Sequence, residues 1–175
     1  MPTNVKTKTR RVAERRSNRS HAAVPGSAIA LLKKDHREVE GYFEEYEELD
    51  DDNAKAKLAE KICTALKVHT QIEEEIFYPQ GRKATGDNDL LDEALVEHAG
   101  AKHLIAEIES MKVGDDLYDA KITVLGEQVK HHVKEEEEEL FPEIEDSKMD
   151  VVAVGKQMAA RKSELIGQVG MLAAK

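Results

Sequence analysis

The sequence predicts an all-α protein: an antiparallel up-down four-helix bundle with an additional C-terminal helix and a basic N-terminal tail. Glu, Lys, Ala and Leu dominate the 175 residues, which favours helix. Aromatic residues make up only 4% of the chain and tryptophan is absent, which argues against a β-sandwich. Apolar residues recur at helical spacing in five segments, whereas no convincing alternating strand is found. We therefore divide the chain into the tail (1–26), the bundle (27–145) and the C-terminal helix (146–175).

The five segments are bounded by capping and helix-breaking residues. Ser27 is the predicted N-cap of the first helix, and Asp87 or Asp89 that of the third. In chain order the helices are 27–49, 54–77, a third that ends near 111, 117–140 and 150–174.

Proline marks the ends of the two longest bundle helices. Pro79 and Gly81 are predicted to end the second helix, and Pro142 to stop or kink the fourth. Three glycines weaken the fifth helix, so we expect it to pack on the bundle without completing its core.

One motif, His-x-x-x-Glu followed by five residues and a proline, occurs twice. The first copy runs from His69 to Pro79 and the second from His132 to Pro142. Positions i and i+4 of a helix lie on one face. Each copy therefore directs an imidazole and a carboxylate to the same place.

The first and third helices each carry one histidine within an otherwise apolar face, His36 and His98. They precede the histidines of the two motifs by 33 and 34 residues. Two helical hairpins related by a pseudo-twofold axis would then place six polar residues in one bundle core. These candidate metal ligands are His36, His69, Glu73, His98, His132 and Glu136.

A metal pair explains this set better than a polar core does. A single histidine on an apolar face is usually a satisfied core residue, but six such residues in a repeated order are different. An unpaired buried polar group costs about 1–3 kcal/mol, and an isolated charge far more. Imidazole and carboxylate without thiolate suit two iron ions, with zinc and manganese as alternatives, and leave positions open for a small ligand.

The second motif has a competing register, because His131 and Glu135 also fit His-x-x-x-Glu. The apolar face of the fourth helix and the alignment on proline select His132 and Glu136. The rest of the acidic run 135–139 is then interpreted as a solvated face.

The assembled pattern resembles the hemerythrin family, specifically the bacterial HHE cation-binding domain. The motifs that resemble it span about 27–145 and include Asp35-His36, Glu97-His98 and the sequences Phe77-Tyr78-Pro79 and Leu140-Phe141-Pro142. The resemblance implies a four-helix bundle around a non-haem di-iron centre that the two glutamates bridge.

The chain departs from the oxygen-carrying members of that family. They have a second histidine four residues after the third-helix ligand, where this chain has Lys102, and His103 is one residue further. They also end in His-x-x-x-x-Asp, and here the pattern is His-x-x-x-Glu. Glu97 and a tyrosine (Tyr42, Tyr46 or Tyr78) are further candidates for the metal surroundings. A ferritin-like bundle is disfavoured, since no histidine follows a glutamate by three residues.

Charge is distributed unevenly along the chain. Residues 1–26 carry seven basic side chains against Glu14, although the whole chain has a net charge of −10. The tail is expected to be disordered, and it could bind nucleic acid or another acidic partner. A single cysteine, Cys63, excludes an internal disulfide and indicates a reducing compartment, the cytoplasm. We expect neither a secretory signal nor a membrane span.

Four functions are compatible with these features. The first is the binding or sensing of oxygen, nitric oxide or peroxide, for example in a stress response. The others are enzymatic detoxification of peroxide or nitric oxide, an iron reservoir or donor, and nucleic-acid contact through the tail. The sequence does not separate the first two.

Overall fold

The computed structural model describes residues 23–86 and 88–173. Most of the predicted tail, residues 1–22, lies outside this range, as does Asp87. Within it the chain is helical with short turns. The helices are α1 (Ala28–Glu47), α2 (Asp52–Ile72), α3 (Tyr78–Thr85), α4 (Asp89–Glu109), α5 (Tyr118–Glu135), α6 (Phe141–Glu145) and α7 (Val151–Ala173).

Two hairpins form the bundle, as predicted. The helices α1 and α2 pack against each other, as do α4 and α5, and the hairpins meet through α1 with α5 and α2 with α4. The helix α7 packs on α1, on α2 and on residues 73–77, on the outside of the first hairpin. In the described part of the chain, no helix is both long and apolar enough to span a bilayer.

Side-chain caps begin α1 and α2, and the cap of α1 is the predicted Ser27. The Ser27 side chain accepts a hydrogen bond from the Ala30 amide at 3.1 Å, and Asp51 accepts one from the Ala54 amide at 2.8 Å. The prediction of Asp89 as a cap is wrong, because Asp89 is the first residue of α4 and Asn88 holds the cap position.

Pro79 and Gly81 do not end the second helix, contrary to prediction. A π-helical turn, Glu73–Phe77, follows α2 and leads directly into α3. The Tyr78 amide bonds to the Glu73 carbonyl five residues earlier, and this wider turn lets the chain continue through Pro79 as a helix. The second copy behaves alike: the π turn Glu136–Leu140 joins α5 to α6 across Pro142.

Two apolar clusters fill the bundle on either side of the polar residues. One includes Leu32, Phe77, Phe141 and buried residues of α7, of which Met158 is fully covered. The other lies toward the hairpin turns and includes residues such as Ile62 and Leu125. The predicted ligand positions therefore form a layer between two hydrophobic cores.

Gly155 allows α7 to approach the start of α1. A Cβ atom at this position would lie 2.6 Å from the Gly26 carbonyl oxygen and the Ala28 nitrogen. Because both atoms belong to the backbone, they cannot move aside as a flexible side chain would. The lack of a side chain at Gly155 thus sets how closely α7 can pack against the start of α1.

We expect Gly155→Ala to destabilise the protein by about 1–3 kcal/mol, the usual cost of overpacking. Gly167→Ala is the matched control, because it adds the same methyl group to the same helix with nothing within 4 Å. That control should be neutral or stabilising by up to about 1 kcal/mol. Urea unfolding of the full chain measures both, and equal behaviour of the two variants would contradict the packing argument.

Candidate metal centre

The structure brings all six predicted ligand residues into one layer. Four helices each contribute a histidine, and each π turn begins with a glutamate. All six side chains are buried, and Glu73 has no exposed surface. The side chains are His36, His69, Glu73, His98, His132 and Glu136.

Each glutamate carboxylate faces two imidazoles through their Nε2 atoms. Glu73 faces one histidine from each hairpin, and so does Glu136. From Nε2 to the carboxylate oxygen, the distances are 3.2 Å for His69 and 3.3 Å for His98 at Glu73 Oε2, and 3.3 Å for His36 and 3.6 Å for His132 at Glu136 Oε2.

The second nitrogen of each imidazole, Nδ1, faces another carboxylate. For His36, His98 and His132 this contact is a hydrogen bond, which orients the ring so that Nε2 points inward, whereas the His69 contact is a longer ion pair. The Nδ1 to oxygen distances are 2.8 Å from His36 to Glu137, 3.6 Å from His69 to Asp35, 3.0 Å from His98 to Glu74 and 2.7 Å from His132 to Glu97.

These four outer carboxylates obey the pseudo-twofold symmetry. Asp35 and Glu97 directly precede the histidines of α1 and α4, and each faces a histidine of its own hairpin. Glu74 and Glu137 directly follow the inner glutamates, and each faces a histidine of the other hairpin. The repeat in the sequence is therefore also a repeat of the polar network.

The helix α7 breaks this symmetry. Lys162 contacts the buried carboxylate of Asp35. Burial raises the pKa of Asp35, but His69 and Lys162 outweigh it and hold the pKa below its usual value. The equivalent carboxylate, Glu97, is more exposed and faces His131 at 3.7 Å.

Tyr78 is the tyrosine that lies at the centre. Its hydroxyl donates a hydrogen bond to Glu136 Oε1 at 2.9 Å and lies 3.3 Å from His98 Nε2. Burial and the charge of Glu136 raise the pKa of Tyr78 well above its usual range, so the phenol keeps its proton. The hydroxyl thus restrains one carboxylate oxygen of the inner set.

Several inner atoms lack a hydrogen-bond partner among the described residues. These include both carboxylate oxygens of Glu73, Oε2 of Glu136 and the Nε2 atoms of His36 and His69. Leaving such groups buried and unpaired is costly, whereas cations bound between them would satisfy them. The donor set therefore fits bound metal.

The donor atoms also fall into two groups. One contains His36, His69, Glu73 and Glu136, and the other Glu73, His98 and His132; within each group the candidate atoms lie within 4.8 Å of one another. Glu73 belongs to both groups. This division suits two neighbouring ions that share a carboxylate.

Without metal, the buried histidines and glutamates of the centre shift one another's pKa values. Burial alone would lower the pKa of His69, but the carboxylates of Glu73 and Asp35 raise it to about 10. Burial acts against ionised Glu73, yet His69 and His98 hold the pKa of Glu73 well below its usual range. Without metal, protonated imidazoles thus balance the buried carboxylates.

Other residues considered in the sequence lie elsewhere. His103 has a side chain 77% exposed on the outside of α4. Tyr46 donates a hydrogen bond to Asp119, and Tyr42 contacts Glu38 on the surface. The structure does not bring these three side chains to the centre.

The outer partners Glu74, Glu137 and Lys162 did not stand out in the sequence. The interpretation of the acidic run 135–139 as a solvated face is wrong for Glu137, which pairs with His36 and Arg37. A usable signal was present, because Glu74 and Glu137 occupy the same position in the two motif copies. Lys162 follows no repeat, and only the packing of α7 reveals it.

Comparison with known proteins places these features in context. The family model of the hemerythrin HHE cation binding domain matches residues 27–144. A crystal structure of an HHE cation binding domain-containing protein from Mycobacterium kansasii aligns with a TM-score of 0.69 and 20% identity, covering 81% of this chain and 88% of that one. A protein from Nostoc sp. described as a DNA nickase is 26% identical over 117 residues, which cover 67% of this chain. The matched part spans 33% of that relative's length.

Metal affinity should fall as pH decreases, because ligand imidazoles must lose their protons. At neutral pH the raised pKa of His69 keeps this group protonated without metal, so binding should release at least one proton. We expect about a tenfold loss of affinity per pH unit for each proton displaced, between pH 8 and 6. Calorimetry of Zn²⁺ binding in buffers of different ionisation enthalpy measures the proton release; none would contradict the charge assignment.

His69 should also make the stability of the metal-free protein depend on pH. This stability should fall as pH rises, whereas metal affinity should rise. The raised pKa of His69 contributes stability that is complete below about pH 6.5, the usual histidine pKa, and is lost as pH rises toward 10. Urea unfolding of the metal-free chain across this range measures the loss.

Lys162→Met should destabilise the metal-free protein by about 1–3 kcal/mol, because it leaves the buried Asp35 carboxylate with one partner fewer. It should also weaken metal binding, since the Asp35 carboxylate lies 3.6 Å from Nδ1 of the proposed ligand His69. Lys156→Met, on an exposed position of the same helix, is the control and should change neither property. Unfolding curves and metal titrations of the two variants provide the comparison.

Proposed function

The chain belongs to the hemerythrin HHE cation binding domain family, and on this basis we propose that it is a non-haem di-iron protein that binds or senses a small oxidant. The observation that supports this proposal is the convergence of four imidazole Nε2 atoms and two glutamates beside an apolar cavity. The six ligands proposed are those predicted from the sequence.

Iron fits the chemistry of the donors. The inner layer offers imidazole and carboxylate, and the single cysteine, Cys63, lies in the apolar cluster toward the hairpin turns. Such mixed N and O sites without thiolate suit redox-active iron, and zinc or manganese would use the same atoms. A bound iron pair would supply reversible electron transfer to a small ligand.

A cavity of about 320 Å³ adjoins the centre. The four histidines form part of its wall, and most of the remaining wall is apolar, with residues such as Val39, Leu66 and Ala101. It reaches the surface between α4 and α5, where Val96 and His131 are exposed. A weakly polar path of this kind suits oxygen, nitric oxide or peroxide better than a large charged substrate.

The protein groups hold the centre in a fixed arrangement. Nδ1 hydrogen bonds orient three of the four rings, and Tyr78 restrains Glu136 by donating a hydrogen bond to Oε1. Outside the proposed ligands, the phenol of Tyr78 is the proton-bearing group closest to His98 Nε2, at 3.3 Å, in the described hydrogen-bond network.

Two other uses of the same centre remain as alternatives. A di-iron oxidoreductase would turn over peroxide or nitric oxide, and an iron reservoir would release its metal readily. Catalytic turnover supports the enzyme, reversible spectral change without turnover supports binding or sensing, and rapid loss of iron to a chelator supports the reservoir.

Contact with nucleic acid is a separate candidate function. The basic composition of residues 1–26 and the similarity to one third of a protein described as a DNA nickase favour it. A DNA mobility shift that weakens with salt and disappears on deletion of residues 1–22 would support DNA binding. Unchanged mobility of DNA with the full chain would exclude this role for the tail.

Metal analysis of the aerobically purified full chain tests the main proposal. We expect about two iron atoms per chain and charge-transfer absorption in the near ultraviolet, both lost in His69→Ala and His132→Ala. His103→Ala is the control, because its side chain is exposed on α4. Full metal content in both site variants would show the ligand assignment to be wrong, and zinc in place of iron would remove the redox function.

Filling the cavity should separate ligand entry from metal binding. Ala101 lines the cavity and is not a proposed ligand, and Ala101→Leu adds three carbon atoms to the cavity wall. We expect unchanged metal content and about tenfold slower binding of nitric oxide, measured by stopped-flow absorption. Ala56→Leu, at an exposed position of α2, makes the same addition on the surface and should bind nitric oxide at the normal rate.

A further inference from the structure

A second His-x-x-x-Glu pair faces outward, directly beside the inner centre. His131 Nε2 lies 3.2 Å from Glu135 Oε1 on α5 and 3.7 Å from Glu97 Oε1 on α4. The three candidate donor atoms lie within 4.8 Å of one another, a spacing that one cation could bridge. The His131 side chain is 64% exposed, so solution ions reach it directly.

Glu97 belongs to both the outer group and the inner network. Its Oε2 accepts a hydrogen bond from Nδ1 of the inner residue His132 at 2.7 Å, and its Oε1 faces His131. One carboxylate thus touches the surface histidine and a proposed ligand of the centre. Movement of this side chain would connect the two sites.

Two cavities are each lined by residues of both the outer and the inner groups. A small one of about 10 Å³, roughly the size of one water molecule, is lined by Glu97 and Glu135 from the outer group and by His132 and Glu136 from the inner one. The large cavity beside the centre is lined by both His131 and His132. The space between the outer and inner residues is therefore not filled by apolar packing.

The first hairpin lacks this outer group although the repeat is otherwise preserved. The positions equivalent to His131 and Glu135 hold Val68 and Ile72, which are buried in the apolar cluster that α7 completes. There, Lys162 meets the carboxylate of Asp35. The outer pair thus occurs only on the hairpin that α7 leaves uncovered.

We propose that Glu97, His131 and Glu135 form an outer site that takes a divalent cation from solution and delivers it to the inner centre. Imidazole and carboxylate donors suit Fe²⁺, Mn²⁺, Co²⁺ and Zn²⁺. The acidic residues Glu93 and Glu139, one helical turn from Glu97 and Glu135, add negative charge that attracts cations. Delivery rests on the proposed inner metal centre, whereas the outer site itself does not.

Equilibrium dialysis of the metal-free full chain against Co²⁺ tests the outer site. We expect three Co²⁺ ions per chain in the unaltered protein, the third bound more weakly, and two in the double variant His131→Gln with Glu135→Gln. The control is His103→Gln with Glu107→Gln, an exposed His-x-x-x-Glu pair on α4 whose nearest atoms are 4.0 Å apart. It should still bind three.

Two results would overturn the outer site: the unaltered protein binds no third Co²⁺ ion, or the outer double variant still binds it. Either result would leave His131 as a partner in surface ion pairs only. If the inner centre bound no metal, the unaltered protein should still hold one Co²⁺ that the outer variant lacks. Failure of the proposed function is thereby distinguished from failure of this inference.

Stopped-flow absorption of Co²⁺ loading tests delivery. At Co²⁺ concentrations below those that saturate the outer site, the outer variant should load its inner centre at least fivefold more slowly, with the same final inner occupancy. The control variant should load at the normal rate. Loss of the third ion with an unchanged loading rate would overturn the delivery role.

Discussion

The burial of four imidazoles and two carboxylates in one layer is the constraint to which the rest of the bundle responds. Ionisable groups removed from water must be paired, hydrogen-bonded or bound to cations. Here the inner atoms face one another at 3.2–3.6 Å, and the outer ring nitrogens face four further carboxylates. Two apolar clusters above and below shield this layer from water except where the cavity adjoins it, which strengthens each electrostatic contact.

The internal repeat accounts for most of the network, and α7 accounts for its asymmetry. Equivalent positions of the two hairpins supply equivalent contacts, down to the carboxylates that orient each ring. The added helix packs mainly on the first hairpin, where it helps to bury Val68 and Ile72 and brings Lys162 to Asp35. The second hairpin keeps its outer face open to solvent, with His131 beside Glu97. One side of the centre is thus sealed and the other accessible.

The two π turns show how local backbone geometry serves the centre. Each begins at an inner glutamate and ends just before the aromatic residue and proline that follow. The hydrogen-bonded loop of each π turn is one residue longer than that of an α-helix, which rotates the segment that follows. It places Tyr78 against Glu136 and Phe141 parallel to the His36 ring, 5.9 Å between ring centres. Such π turns occur frequently at functional sites.

Sequence periodicity alone determined the helical class, the hairpin repeat and the six inward polar residues, because the spacing of a helix decides which side chains share a face. It also selected His132 over His131, since the apolar positions of one helix define its buried side. The tertiary structure decided what depends on contacts between distant segments. Those contacts include Glu74 with His98, Glu137 with His36 and Lys162 with Asp35, which join residues 24, 101 and 127 positions apart. The π turns were likewise not predictable from proline, because the surrounding packing decides whether a helix stops at proline or widens to pass it.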